Sequence, residues 1–525
     1  MASKQLYDTL NKAWKSTCKV LLGEEIGDME EFEGWLKLNS EGLTVRKSVS
    51  GRDIYSAVPH YCKKAKFVSF EEIDYGKKFE PLGINEIKDI DSIAEALQGR
   101  FAYTGNVILG NSKDVEESSD VQNSFHVLGS SFVYDSEYIA HCAYMRNCKY
   151  SFGSVQDVES SFGIRSINPY KNSRCMEAWS CFGCSDVYFS CGIENSRNVM
   201  FSFNAKSRQN TIGNIALEKE KFTVLKAKLL AEIAAELRAK KAMTPLVDML
   251  KGDKRRPKLG KIDTVERSDE GDKAPIEKAF RETTRIVLGK ELQGMDAYGE
   301  WMMRHVPDVE TVKSSATGRT SHLGLVNPYK FFPRDRLAKE GEARKLGETL
   351  KMDEKDIVSL KSALDSLWKI AFFSSEATVG GIRNIVGGIP MVNESSNCYR
   401  SALVSVDEYC AFSYWPRNSK YIFGSDEAFF SSFCIRSFHS ERATRTFEID
   451  GCRDCADLYY SHNCENVQDS MFCFNVKNVR NAIGNGVLPL DKYKAIKKSL
   501  LEQIVSELEK KKTLKWNIYN IGCAK

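Results

Sequence analysis

Two stretches carry residue types that could bind metal or do thiol chemistry: CFGCSDVYFSC, from Cys181 to Cys191, and CRDCADLYYSH, from Cys452 to His462. In the first, Cys181 and Cys184 form a Cys-x-x-Cys pair, and Cys191 follows after six intervening residues. In the second, Cys452 and Cys455 form the same pair, and His462 stands where the first has Cys191. Thiolate and imidazole both donate to Zn²⁺, so a zinc site tolerates a Cys-to-His exchange at a matched position. Zinc on Cys181, Cys184 and Cys191, and on Cys452, Cys455 and His462, is therefore the one cofactor these residues offer. Neither stretch supplies an evident fourth ligand: Cys175 faces Thr446, while Cys464 and Cys473 face Ile193 and Ser202. The plainer expectation is that small thiols fill inward positions of a packed core. A thioredoxin-like role fits less well, because neither pair opens a helix within a βαβ pattern.

Other constellations are thinner. No G-x4-G-K-[ST] phosphate loop occurs. SVSGRD and SATGRT repeat a Gly-Arg turn, which makes Arg52 and Arg319 candidates for an anion contact. The basic run KGDKRRPKLGK adds Lys254, Arg255 and Arg256 as candidates for nucleic acid, and the tail KKKTLKW is also basic. Aromatic-rich segments could offer stacking faces, but acids there about equal bases in number and leave no phosphate-tracking stripe. Of the seven His, His126, His141, His439 and His462 do not fall at equivalent places in the two halves of the chain. No nucleophilic triad is legible, and no catalytic residue is assigned.

The elements that must position these residues come from repetition, which is sought first because it decides architecture. Ser124–Leu237 and Ser395–Leu508 align without a gap at a constant offset of 271, with about four in ten positions identical. RNCKYSFGS faces RNSKYIFGS, SSFGIRS faces SSFCIRS, and NTIGN faces NAIGN. With small gaps the match reaches upstream, pairing the segments around Trp35 and Trp301, VRKSVSGR with VKSSATGR, and VPHY with VNPY. The chain thus reads as a tandem duplication, with the charged segment between the copies expected to be a solvated linker.

Each copy is expected to begin with a helix (5–22 and 275–288), continue through a mixed region, and end in about 90 residues without helical period plus an amphipathic helix. That last helix carries Phe222, Leu225, Leu229, Ile233 and Leu237, repeated as Tyr493, Ile496, Leu500, Ile504 and Leu508. Such a stripe packs on an apolar surface. Within the non-helical region a shorter period of twelve appears, as in YIAHCAYMRNCK and YSFGSVQDVESS. Each row opens on aromatic, β-branched, Ser and Cys residues and closes on turn formers, one strand and one turn per row.

Short strands at constant spacing imply an α+β fold with a β-solenoid in each copy, capped by the closing helix. One row or two per coil fit equally well. Row-end Asn195, Asn204 and Asn475 suit left-handed turns and side-chain ladders. The expected divisions are 1–122 and 275–393 as helical or mixed parts, 123–240 and 394–512 as solenoid plus helix, 241–274 as linker, and 513–525 as tail.

The junctions FNAKSRQNTIGNIALEKEKF and FNVKNVRNAIGNGVLPLDKY resemble those of uncharacterised Cys/Asn-rich repeat proteins of small-celled bacteria, archaea and large tailed phages. That family has no established activity. The resemblance implies architecture and transfers no active residue.

Composition bounds the rest. A chain of 525 residues is long enough for two or more domains. The apolar fraction of 42%, charged fraction of 28% and net charge of +4 describe a globular protein with no global pull toward nucleic acid. No run approaches the roughly 18 apolar residues of a membrane span, and the amphipathic start lacks a secretory h-region. Sixteen Cys without an export signal are expected to be reduced thiols of a cytoplasmic protein, or of a virion assembled in the cytoplasm. The expected function is a non-enzymatic structural or assembly protein, such as a phage virion or particle component. Its partners would be itself or other particle proteins, and no membrane. The alternative is a nucleic-acid- or zinc-binding module.

Overall fold

In the computed structural model, which describes residues 3–40, 42–83 and 86–523, the chain is a mixed α+β structure dominated by parallel strands. The helix Lys4–Leu22 and its match Ala274–Leu288 form where expected, each closed by a left-handed glycine, Gly23 and Gly289. The closing helices Lys219–Lys240 and Leu490–Lys511 also form. Both Gly-Arg turns are hairpin turns, joining Thr44–Lys47 to Asp53–Ser56 and Val309–Lys313 to Thr320–Gly324.

The twelve-residue rows pair one on the next. Glu137 lies opposite both Phe125 and Lys149, and Ala143 opposite Ser131, so the register is twelve and each row contributes two short strands. One row, not two, is the repeat of the stack. Parallel pairing of successive strands begins at Ile108 and at Ala377, upstream of 123 and 394, where Ile108 lies opposite Val121 and Ala377 opposite Met391, before the register settles at twelve.

A second period lies inside the first. Every third residue is left-handed, as at Asp114, Glu117, Asp120, Asn123 and His126, with φ between 48° and 58°. Asn195, Asn204 and Asn475 are among these, as their side chains favour, but so are Tyr138, Phe162 and Phe201. Bulky residues occupy this region at a cost, which the surrounding ladder of hydrogen bonds must offset. The residue after each left-handed one points inward. Inward positions therefore also recur every three residues, and Val121, Val127, Val133, Ile139, Cys142, Met145 and Cys148 form one buried cluster.

The opposite face makes the main core. Phe152, Ile164 and Met176, twelve apart, lie buried beneath helix Lys4–Leu22, Tyr188 OH donates to its Leu21 O at 2.9 Å, and Trp14 lies 5.3 Å from Phe32 and edge-on to Phe152 at 5.4 Å. Each fully buried side chain of this size contributes about 1.5–3 kcal/mol. The last rung is closed by an antiparallel turn-back, Thr211 opposite Ala216. The closing helix packs beside that rung and against Lys4–Leu22.

The segment 241–274 is not a free hinge. Met243, Leu246, Val247 and Leu250 are buried, and Arg267 and Asp272 bond to Ile389 O and Asn384 of the second half. The tail is buried likewise through Leu514, Ile518, Tyr519 and Ile521. Cys62 and Cys523 form a disulfide across 461 residues. The expectation of uniformly reduced thiols fails for that pair, while the other fourteen Cys are free and buried.

One buried ion pair ties helix, stack and tail together, and it occurs twice. Arg165 Nε bonds Glu177, one coil away, with both side chains fully buried. Arg165 Nη1 also donates to Trp35 O at 2.6 Å and Leu38 O at 2.8 Å, and Glu177 accepts from Leu246 N at 3.2 Å. Arg436 and Glu448 repeat this with Trp301 O at 2.6 Å and Ile518 N at 3.0 Å. Breaking such a pair strands a buried charge, which costs about 3–5 kcal/mol, whereas replacing both partners by apolar groups costs far less. Arg165→Met is therefore expected to lower unfolding free energy by about 3–5 kcal/mol, and Arg165→Met with Glu177→Leu to recover most of it, as read by denaturant titration.

Candidate acid–base site at the junction of the two halves

The mixed part of each half docks on the stack of the other. Asn204 Nδ2 donates to Phe372 O at 2.9 Å, and Asn475 Nδ2, at offset 271, donates to Ala102 O at 2.8 Å. Phe203 packs on Phe373, and Phe474 on Phe101 and Tyr103. Beside the second of these contacts is a cavity of about 300 Å³ lined by both halves, including Tyr61, Asp120, Phe132 and Tyr134 from the first and Arg417, Glu427, His439 and Asp450 from the second.

Asp450 is its centre. His439 Nδ1 lies 2.9 Å from Oδ1, and His462 Nδ1 lies 2.9 Å from Oδ2. Tyr61 OH donates to Oδ2 at 2.7 Å, and Tyr519 OH to Oδ1 at 3.5 Å. The backbone N–H of Thr104 donates to His462 Nε2 at 2.9 Å. That nitrogen must therefore be unprotonated, so His462 carries a proton on Nδ1 and donates it to Asp450. The twelve-residue register stacks His462 directly on Asp450.

Burial works against charge on Asp450, but the hydrogen bonds from His439 and His462 hold its carboxyl well below the usual range. Burial also works against charge on His439, yet Asp450, with Glu427 and Asp426 nearby, pushes the imidazole up to about 10. His439 is thus an imidazolium at neutral pH. Its second ring nitrogen makes no hydrogen bond to the described residues, and Phe132 stacks on the ring at 5.8 Å. Across the cavity, burial raises Asp120. The arrangement can present a charged N–H donor to a ligand and move one proton.

This trio belongs to the second half alone. At the matched positions the first half has Asn168, Trp179 and Cys191. There Asn168 donates to Tyr329 OH at 2.6 Å, Trp179 packs near Phe332 at 6.3 Å, and Cys191 is buried. The first half holds an amide, an indole and a thiol there, with Trp179 Nε1 donating to Glu177 at 3.0 Å, where the second holds acid and base.

The sequence-predicted metal ligands are not brought together. Cys181 and Cys184 occupy successive inward positions and cluster with Val187 and Ile193. Cys191 belongs to the core outside the stack. Cys184 Sγ donates to Phe182 O at 3.2 Å, and burial pushes its thiol up to about 11. Cys452 and Cys455 point inward in the same way, while His462 faces the junction on Asp450. Donors on opposite faces of a strand cannot share one ion, and no group of three or more metal-donor side chains converges among the described residues.

The anion candidates are answered by the chain's own acids. Arg52 pairs with Glu71 and Glu72, Arg255 with Asp253, and Arg256 with Asp335. Arg319 bonds Thr264 and lies 3.9 Å from Glu342. Lys254, beside Asp253, is in the same coil segment. His439, Asp450 and His462 escaped sequence reasoning as a site, although the period of twelve linking Asp450 to His462 was the signal for their contact.

No family model, no curated protein and no solved structure matches this chain.

Coupling of His439 to Asp450 predicts the pH response. A histidine raised from 6.5 to about 10 contributes stability that is full below pH 6.5 and is lost as pH rises through about 10. Asp450, depressed from 3.8, contributes stability above that value which is lost in acid. Asp450→Asn is expected to return His439 toward its ordinary range, read by NMR titration, and to flatten the alkaline fall in melting temperature.

Proposed function

We propose that the chain is a tandem duplication of a β-solenoid with exchanged mixed parts, and that its function is to bind a small polar ligand in the junction cavity. The carrying observation is His439 in the cavity wall with one ring nitrogen 2.9 Å from Asp450 and the other left toward the cavity. A donor of that kind suits a carboxylate, phosphate or other strong acceptor. Phe132 and Tyr134 add aromatic walls, the usual mix of apolar lining and few placed polar groups. The matching scaffold of the first half, with Trp179 in place of Asp450, supports the reading that the second half's polarity serves a ligand rather than the fold. No reaction is assigned, and the role is a non-enzymatic one.

A structural role in a homo-oligomer or a particle such as a virion is the second reading. It is supported by the reciprocal docking, which gives the two halves equivalent faces that repeated partners could use. Mass photometry is expected to give discrete multiples of 59.3 kDa if that role holds, and a monomer at micromolar concentration counts against it.

For the ligand, thermal-shift screening of small carboxylates and phosphates should find binders. Their affinity, measured by calorimetry, is expected to fall about tenfold or more in His439→Gln, the loss of one charge-assisted hydrogen bond. A panel that shifts nothing, or binding that survives His439→Gln unchanged, would sink the reading.

A further inference from the structure

The junction cavity has a second charged feature besides Asp450 and its histidines. Arg146 of the first stack and Arg417 of the second both line it, and they stand at matched positions, 271 residues apart. They meet there because the stacks pack face to face. Tyr144 and Trp415, also 271 apart, have ring centroids 6.2 Å from each other. Each ring lies two residues before its arginine on one strand, Ala143–Arg146 and Tyr414–Arg417. The contact between matched rings thus brings the matched arginines to one cavity, which neither half could do alone.

Their charge is left over. Elsewhere on the stacks a cation meets an acid one row away: Lys149 pairs with Glu137, Lys206 with Glu194, and Lys420 with Glu408. The register denies this to the two arginines. Arg146 lies opposite Tyr134 and Val158, and Arg417 opposite Ser405 and Phe429. Among the described residues neither guanidinium has a hydrogen-bond or ion-pair partner. The neighbouring cations of the cavity wall are answered, Arg453 at 3.6 Å from Glu441 and Lys477 at 2.7 Å from Glu465. Of the acids there, Asp135 accepts from Asn123 at 3.3 Å, while Asp120 and Glu427 lie near His439.

We propose that the ligand of this cavity is a small phosphomonoester, with its phosphate held by Arg146 and Arg417 and its other end at the outward ring nitrogen of His439. The inference rests on the ligand reading of the cavity and adds the chemical class. Guanidinium forks match phosphate oxygens in pairs, and two of them answer the nearly two negative charges of a phosphomonoester at neutral pH. A monocarboxylate would leave one arginine unmatched. A volume of about 300 Å³ is at the small end of ligand pockets and suits one ring with its phosphate. Phe132, Tyr134 and Phe429 give that ring flat walls.

The test is calorimetry of the full chain at neutral pH with phenyl phosphate, benzoate and inorganic phosphate. Phenyl phosphate is expected to bind about tenfold or more tighter than benzoate, which lacks the second charge, and than inorganic phosphate, which lacks the ring. Arg146→Gln and Arg417→Gln should each weaken phenyl phosphate about tenfold and leave benzoate within about twofold. Neither side chain has a bond to lose, so both variants should melt with the parent.

Phenyl phosphate that binds no tighter than benzoate, or that ignores both arginine variants, would overturn the proposal. Benzoate binding that His439→Gln still weakens would then leave the ligand reading standing. Inorganic phosphate as tight as phenyl phosphate would overturn the two-ended ligand. Silence from all three probes would take the phosphomonoester and the ligand reading down together.

Discussion

The structure depends on a hydrogen bond that repeats through the interior of the stack. An inward Ser, Cys or Asn accepts the backbone N–H of the residue twelve positions on. Ser118 accepts from Ser130 N at 3.0 Å, Ser130 from Cys142 N at 3.0 Å, Cys142 from Ser154 N at 3.2 Å, and Ser154 from Ser166 N at 3.2 Å. A parallel series runs through Ser124, Ser136 and Cys148 on the other side. These N–H groups are buried between successive rows, and an unpaired buried donor costs about 1–3 kcal/mol. Only a small side chain with a lone pair fits. That is why Ser and Cys exchange so freely between the halves, and why most of the Cys are structural.

This ladder imposes the register of twelve, and the register places the other polar groups. It sets Arg165 on Glu177, Arg174 on Asp186, Arg445 on Asp457 and His462 on Asp450. The exposed pairs contribute little to stability. The buried ones hold helix carbonyls and tail amides against the stack, so they fix how the surrounding elements dock.

Reciprocal docking turns two similar halves into one body with one distinct site. Tyr61 and Tyr329 occupy matched positions and both reach the opposite stack, Tyr61 to Asp450 and Tyr329 to Asn168. The same backbone geometry thus supports a neutral hydrogen bond in one place and a charged network in the other.

Much was legible in the sequence. The offset of 271, the rows of twelve, the helices and the left-handed Asn residues all follow from local preference and repetition, which a single chain displays. One row or two per repeat was open from composition, because either stacks the same residue types, and strand pairing decided it. The left-handed backbone at aromatic residues was not legible, since local preference opposes it and only the ladder enforces it. The residues named as zinc ligands stay apart for the same reason. Cys181 and Cys191 look adjacent in a motif, but the three-residue period turns one inward and the other outward. The closure of the junction site needed tertiary structure most of all, because Tyr61 and Thr104 reach Asp450 and His462 by docking between halves, a contact that no periodicity within either half can specify.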